Sequence, residues 1–224
     1  MFFAPFVFIY ALILFLVGAI LFALLEIDVI HYAFSSLGLP PEAAMIALLA
    51  SLLGSYVNIP VTRVRCEQMH PAPIVRSFGI PYRLPARVHV DATVIAVNVG
   101  GAIVPVLVSV IALAHAPKAI WPALIGAAVV ALVVNRFARP IPGLGIATPM
   151  LIPPLAAALA GYLLGGSAHA APVAYVSGVL GTLVGADLLN LGKVGSLGAP
   201  VASIGGAGTF DGIFLTGIVA VLLA

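Results

Sequence analysis

Residues 180–224 read LGTLVGADLLNLGKVGSLGAPVASIGGAGTFDGIFLTGIVAVLLA. Two apolar segments flank a glycine-rich link with a single basic residue, Lys193, and each segment holds one aspartate, Asp187 or Asp211. Both aspartates lie twelve residues from Ala199, so an antiparallel pair of membrane helices centred there sets them level. A charged carboxylate in hydrocarbon costs about 2.5–3.5 kcal/mol even on the lenient insertion scale, so such residues face a bundle interior and mark function. This pair sets both the expected fold class and the candidate site.

The rest of the chain has the same character. Of its 224 residues, 63% are hydrophobic and 7% charged, with a mean hydropathy of +1.26. Soluble domains carry roughly 25% charged residues, so the composition is that of an integral membrane protein. The net charge of +2 is spread over loops and offers no basic face, which excludes a nucleic-acid partner and leaves the lipid bilayer as the surround. Cys66 is the single cysteine, so neither an intrachain disulfide nor a cysteine-based metal cluster is expected. The histidines, at 31, 70, 89, 115 and 169, fall in loops or at span ends and form no HExxH or i, i+4 ligand pair. No G-x-S-x-G, P-loop or dinucleotide fingerprint occurs. Neither a metal nor a cofactor is expected.

Crossing a hydrocarbon core of roughly 30 Å takes about 20 helical residues. The sequence predicts an all-α polytopic bundle, one domain over residues 1–224, with about seven spans: 5–25, 41–60, 91–114, 119–137, 144–165, 171–191 and 200–224. The run at 5–25 exceeds a signal-peptide core and has no preceding Lys or Arg, so it reads as a retained first span. Arg63, Arg65, Arg76, Arg83 and Arg87 follow span two, Arg136 and Arg139 follow span four, and Lys193 follows span six; only Lys118 is opposite. The positive-inside rule then puts the N-terminus in the cytoplasm and the C-terminus outside the cytoplasmic membrane.

The basic loop 61–90 is rich in proline, which breaks helix, and its alternation around 83–90 predicts a short surface hairpin. Pro153-Pro154 is expected to interrupt span five, and Pro200 to open span seven. Glycines in spans three, six and seven allow close helix approach. Asp91 opens span three as an N-cap or as a third carboxylate at the cytoplasmic end. Asn98 is two helical turns further, on the same face. Asn58 and Asn190 also approach that end as amides suited to bridging helices.

The aspartate segments resemble those of the GxGD-type intramembrane aspartyl proteases, the presenilin and signal peptide peptidase superfamily. In GTFDGIFLTGIVAVLLA (208–224), Gly208 matches the first glycine of the motif and Asp211 its aspartate. ADLLNL (186–191) is similar to the family's first aspartate helix, with Asp187 at the aspartate. In that family the two helices are consecutive and both aspartates lie toward the cytoplasm. Phe210 stands at the second motif glycine and Ala186 where the family has tyrosine. The link is shorter than the family's, and Pro153-Pro154-Leu155-Ala156 precedes the aspartates where a Pro-Ala-Leu motif should follow them. The family has nine spans. The resemblance covers about 40 residues, and the whole chain is also similar to small polytopic membrane proteins of prokaryotes.

The resemblance implies a hydrolase of membrane-embedded peptide substrates, with Asp187 and Asp211 catalytic and Gly205, Gly206 and Gly208 admitting a substrate backbone. Read on their own, the residues also fit an ion- or proton-coupled transporter using Asp91, Asp187 and Asp211, supported by Asn98 and Asn190. A non-catalytic role in binding helices or lipid is the third class.

Overall fold

A computed structural model describes residues 28–65, 74–77, 80–83, 92–141, 145–196, 199–206 and 212–224. The expected first span, together with Asp91, Gly208 and Asp211, lies outside these residues.

The described chain is mostly helical. Helix α1 covers Asp28–Ser36 and α2 Pro41–Gly54, the two meeting at a bend of 110°. Then come α3 (Val104–His115), α4 (Ile120–Phe137), α5 (Ile152–Ala160), α6 (Gly166–Thr182) and α7 (Gly212–Leu223). Single π-turns precede α3 (Val99–Ile103), follow α5 (Gly161–Gly165) and follow α6 (Leu183–Asp187). Two runs, Pro117–Phe137 and Ile152–Gly195, are long and apolar enough to cross a membrane, or three if the bent α1–α2 pair counts as one span. The second run folds back on itself at Gly166, whose φ of +57° suits only glycine. Beyond that fold Gly165 rests on Ala170, Gly161 on Ala174, and Gly178 on Ala157, so α5 and α6 form an antiparallel hairpin.

Close contacts fix the remaining directions. Gly126, Gly181 and Gly185 meet Ser177, Val130 and Ala131, which makes α4 and α6 parallel. Gly54 meets Gly100 at one end of the α2–α3 pair and Gly38 meets His115 at the other, so those helices are antiparallel. Gly178 packs on Thr216 and Gly217 on Tyr175, while Thr182 and Asp187 meet Gly212 around one cavity, so α7 runs against α6. One end of the bundle thus gathers the finishes of α2, α4 and α6 with the starts of α3 and α7. Arg136 and Lys193 are at this end, and Lys118 is at the other.

The expectation of an all-α chain is corrected by three sheets. The largest has strand order β1-β4-β7: β1 (Asn58–Arg65) pairs antiparallel with β4 (Ala92–Asn98), from Asn58↔Asn98 to Arg65↔Ala92, with an irregularity between Pro60 and Thr62. β4 pairs in parallel with β7 (Val201–Ile204), from Val94↔Val201 to Val97↔Ile204. Strand β2 (Ile74–Ser77) pairs with β3 (Ile80–Arg83), whereas the hairpin expected around 83–90 falls almost wholly outside the described residues. Strand β5 (Arg139–Ile141) pairs with β6 (Gly145–Ala147). The segments NIPVTRVR, ATVIAVN and VASI are rich in β-branched residues, which suit a pleated surface better than a helix.

These strands shorten the expected spans. Span three is helical only from Val99, and the described part of span seven begins as the strand Val201–Ile204 and is helical over Gly212–Leu223. Over Ala92–Asn98 side chains alternate, so the two-turn helical alignment of Asn98 with position 91 does not form. Pro153 and Pro154 open α5 instead of interrupting a helix, because a first-turn N–H has no intrahelical partner to lose. Pro200 leads into β7 and accepts the Val94 N–H on its carbonyl at 3.0 Å.

Helix α6 is central, with Val173, Ala174, Tyr175, Val176 and Val179 all buried. Small residues fill its seams, while large apolar ones such as Leu132, Leu155, Leu159 and Val129 face outward. That inversion of the soluble pattern suits a lipid surround, where small residues bring backbones together and gain dispersion contacts.

Close approach makes a direct prediction. A methyl on Gly100 would overlap the Ser51 carbonyl oxygen and the Ser55 nitrogen, whereas one on Gly192 meets nothing within 4 Å. Gly100→Ala is expected to lower the thermal midpoint by at least the equivalent of about 2–3 kcal/mol. Gly192→Ala stays within about 0.5 kcal/mol of the parent, as measured by unfolding in detergent.

Candidate functional site

The site begins where α6 stops being regular. The π-turn Leu183–Asp187 inserts one residue per turn and leads into a 3₁₀ stretch, Leu188–Ser196. Such turns free carbonyls from the regular ladder, and π-bulges recur at functional sites. Here Asn190 Nδ2 donates to the carbonyls of Gly185 (3.1 Å) and Ala186 (2.9 Å), and Asn135 Nδ2 from α4 donates to Gly185 at 3.1 Å. Lys193 Nζ donates to Asn190 Oδ1 at 2.7 Å. Asn190 is fully buried and serves this helix end.

Asp187 is half-buried, and its Oδ2 accepts the Gly205 N–H at 2.8 Å. Gly205 and Gly206 have φ of +88° and +99°, the left-handed region that favours glycine. A Cβ on Gly205 would come within 2.7 Å of Ala102, so this turn is pressed against the first turn of the α3 segment. The carboxylate is thereby tied across the molecule to a turn with no room to move inward.

Asn98 takes a different part. Its Oδ1 accepts the Gly101 N–H at 2.8 Å, capping the π-turn before α3. Its Nδ2 donates to the Ser55 carbonyl at 2.7 Å and to Asn58 Oδ1 at 3.1 Å. The Ser203 hydroxyl donates to the same Asn58 oxygen. Asn58 and Asn98 therefore join α2, β1, β4 and β7.

A cavity of about 290 Å³ opens beside Asp187. Thr182, Asp187, Gly206, Gly212 and Thr216 line it, Pro153 and Pro154 close it from the start of α5, and Met150, Ile213 and Val219 make it largely apolar. Asn98 and Asn190 are not among its lining residues. Asp91, Gly208 and Asp211 lie outside the described residues, but Gly212 directly follows Asp211 in the chain. Thr182 and Thr216 line the cavity without having been singled out from the sequence, and the two prolines, noted there as a helix break, had not been placed in the site. Their signal is faint: Thr182 is five residues before Asp187, a spacing that a π-turn brings onto one face and a regular helix does not.

Residues 52–223 match the family described as "Protein of unknown function (DUF1614)". The matched region contains Thr182, Asp187, the Gly205–Gly206 turn and Asp211. No curated protein and no solved structure matches the chain.

The Gly205 contact predicts how substitutions at 187 separate fold from chemistry. Asp187→Asn keeps a carbonyl oxygen for the Gly205 N–H and holds its stability within about 1 kcal/mol. Asp187→Leu strands that donor and loses about 1–3 kcal/mol. Chemical or thermal unfolding of the two variants in the same detergent checks the difference.

Proposed function

The chain belongs to the DUF1614 family, and from the geometry of its cavity we propose a membrane-embedded aspartyl hydrolase. It cuts peptide bonds of membrane-embedded substrates, with Asp187 and Asp211 as the catalytic pair. One observation carries this: Gly212, a single peptide link after Asp211, lines the same cavity as Asp187. Three others support it. Helices α6 and α7 are antiparallel and meet at this end, the Gly205–Gly206 turn fixes the Asp187 carboxylate, and the cavity wall is mostly apolar.

The chemistry follows from two carboxyl groups sharing one proton. The ionised member takes a proton from water as the water oxygen attacks the carbonyl carbon, and the protonated member donates to the carbonyl oxygen. Collapse of the tetrahedral intermediate breaks the C–N bond and returns a proton to the leaving amine. The two groups titrate as one unit. An apolar wall strengthens each electrostatic contact by excluding bulk water.

The placement in the bilayer is part of the proposal: seven passes, with the cavity end in the cytoplasm and the C-terminus outside. The gathering of Arg136 and Lys193 at the cavity end, opposite Lys118, supports it through the positive-inside rule. A reporter fused after Ala224 that is active only outside the cytoplasm is expected to be active. Activity instead from a reporter restricted to the cytoplasm contradicts the topology.

The central test uses purified protein in proteoliposomes with a transmembrane peptide reporter. Asp187→Asn and Asp211→Asn are each expected to lower cleavage more than 100-fold while the variants remain folded. Full activity in either variant removes the proposal. Ion-dependent uptake that both variants abolish, with the reporter intact, assigns the same carboxylates to transport.

A further inference from the structure

The end of the bundle away from Asp187 holds a second cavity, of about 450 Å³. Three segments line it: Ser36 at the end of α1, His115 and Lys118 between α3 and α4, and Ala168, His169 and Pro172 in the first turns of α6. All three lie well inside described stretches of the chain. His115 and Lys118 are exposed and His169 is half-buried. None of the described acids, Asp28, Glu42 and Asp187, lines the cavity. The carbonyls of Phe34, Ala112 and Ile111, at the ends of α1 and α3, are already met. Phe34 accepts the Leu37 and Leu39 N–H groups at 3.0 and 3.1 Å, Ala112 accepts that of Ala116 at 3.0 Å, and Ile111 faces His115 Nδ1 at 2.9 Å. A carbonyl only accepts, so Nδ1 carries the proton and Nε2 is the ring nitrogen free of that bond. No side chain caps the start of α6, which leaves the positive end of its dipole open.

We propose that this cavity binds the phosphate group of an anionic ligand, with Lys118 as its charge partner and His169 and the first turn of α6 as further donors. The chemistry of the wall selects the ligand. An ammonium with three N–H donors, two imidazoles and an uncapped helix start favour negative charge, and no carboxylate is present to neutralise them. A metal cation would meet only two imidazoles here, with the Lys118 charge beside them. An acceptor is present as well: Pro172 has no N–H, so the carbonyl of Ala168, four residues earlier, lacks its helical donor. A phosphate with a hydroxyl close by, as in a glycerol phosphodiester, satisfies both sides. The surround supplies such groups. Trp121 and Tyr162, 74% and 68% exposed, are about one turn along the chain from Lys118 and Gly166, and rings of this kind settle at the headgroup level of a bilayer. A lipid head and a free phosphate carry the same recognised chemistry. The site is independent of the hydrolase reading.

The test follows the thermal midpoint of the full chain in a neutral detergent, titrated in turn with inorganic phosphate and with phosphatidylglycerol, against sodium chloride at matched ionic strength. At least one phosphate probe is expected to raise the midpoint progressively, because a ligand of the folded state stabilises it by mass action. From those shifts, Lys118→Gln is expected to weaken the apparent Kd about tenfold and His169→Ala about threefold, with Lys118→Arg staying within about threefold of the parent. Both side chains are at least partly exposed, so the variants keep the parent's fold. A rise with phosphatidylglycerol alone assigns the site to a lipid head, and a rise with inorganic phosphate assigns it to a free anion as well. The proposal is overturned by no rise with either probe, by an equal rise with sodium chloride, or by a rise that Lys118→Gln and His169→Ala both leave unchanged.

Discussion

One bond closes the molecule at its basic end: the carboxylate of Asp187 accepts the Gly205 N–H. A chain folded in an apolar surround must satisfy its polar groups from within, and each failure costs several kcal/mol. The π-turn at the end of α6 raises that demand by loosening the helix ladder, and Asn135, Asn190 and Lys193 meet it on one side. Asp187 meets it on the other, where the outer strand β7 turns back through Gly205 and Gly206 toward α7. Without this contact the end of α6 and the turn after β7 have no direct polar tie among the described residues.

Packing explains why the tie forms there. Glycines at 178, 181 and 185 run down α6 and let α4, α5 and α7 approach within backbone distance. The seams are filled by alanine and glycine, and bulky side chains are left for the outer surface. Tight seams leave little free volume along most of α6. At the π-turn the seam with α4 stays tight at Gly185, and the cavity beside Thr182 and Asp187 opens on the side of α5 and α7.

Much of this was legible in the sequence, for physical reasons that can be named. Asp187 stood out because an acid in an apolar run is costly, and α4 and the α5–α6 hairpin follow from uninterrupted apolar length. The sheet was not legible. ATVIAVN and VASI carry no polar alternation, so a buried strand and a buried helix look alike in them, and only pairing between distant segments decides. Asn98 was read by helical spacing and became a cap and a strand link. Pro153-Pro154 was read as a break and became a start. The sharing of one cavity by Thr182 and Asp187 depends on a π-turn, which no local pattern announces.

Two carboxyl groups that share one cavity must lie close together, and their separation is the quantity to measure. An experimental structure of the full chain in lipid, resolving residues 205–212, gives the distance between the Asp187 and Asp211 carboxyl oxygens. The expected separation is about 7 Å or less, close enough for one water to bridge them, by analogy with carboxylate pairs that work through a water. Carboxyl groups facing apart, with Asp211 in bulk solvent outside the cavity, contradict it.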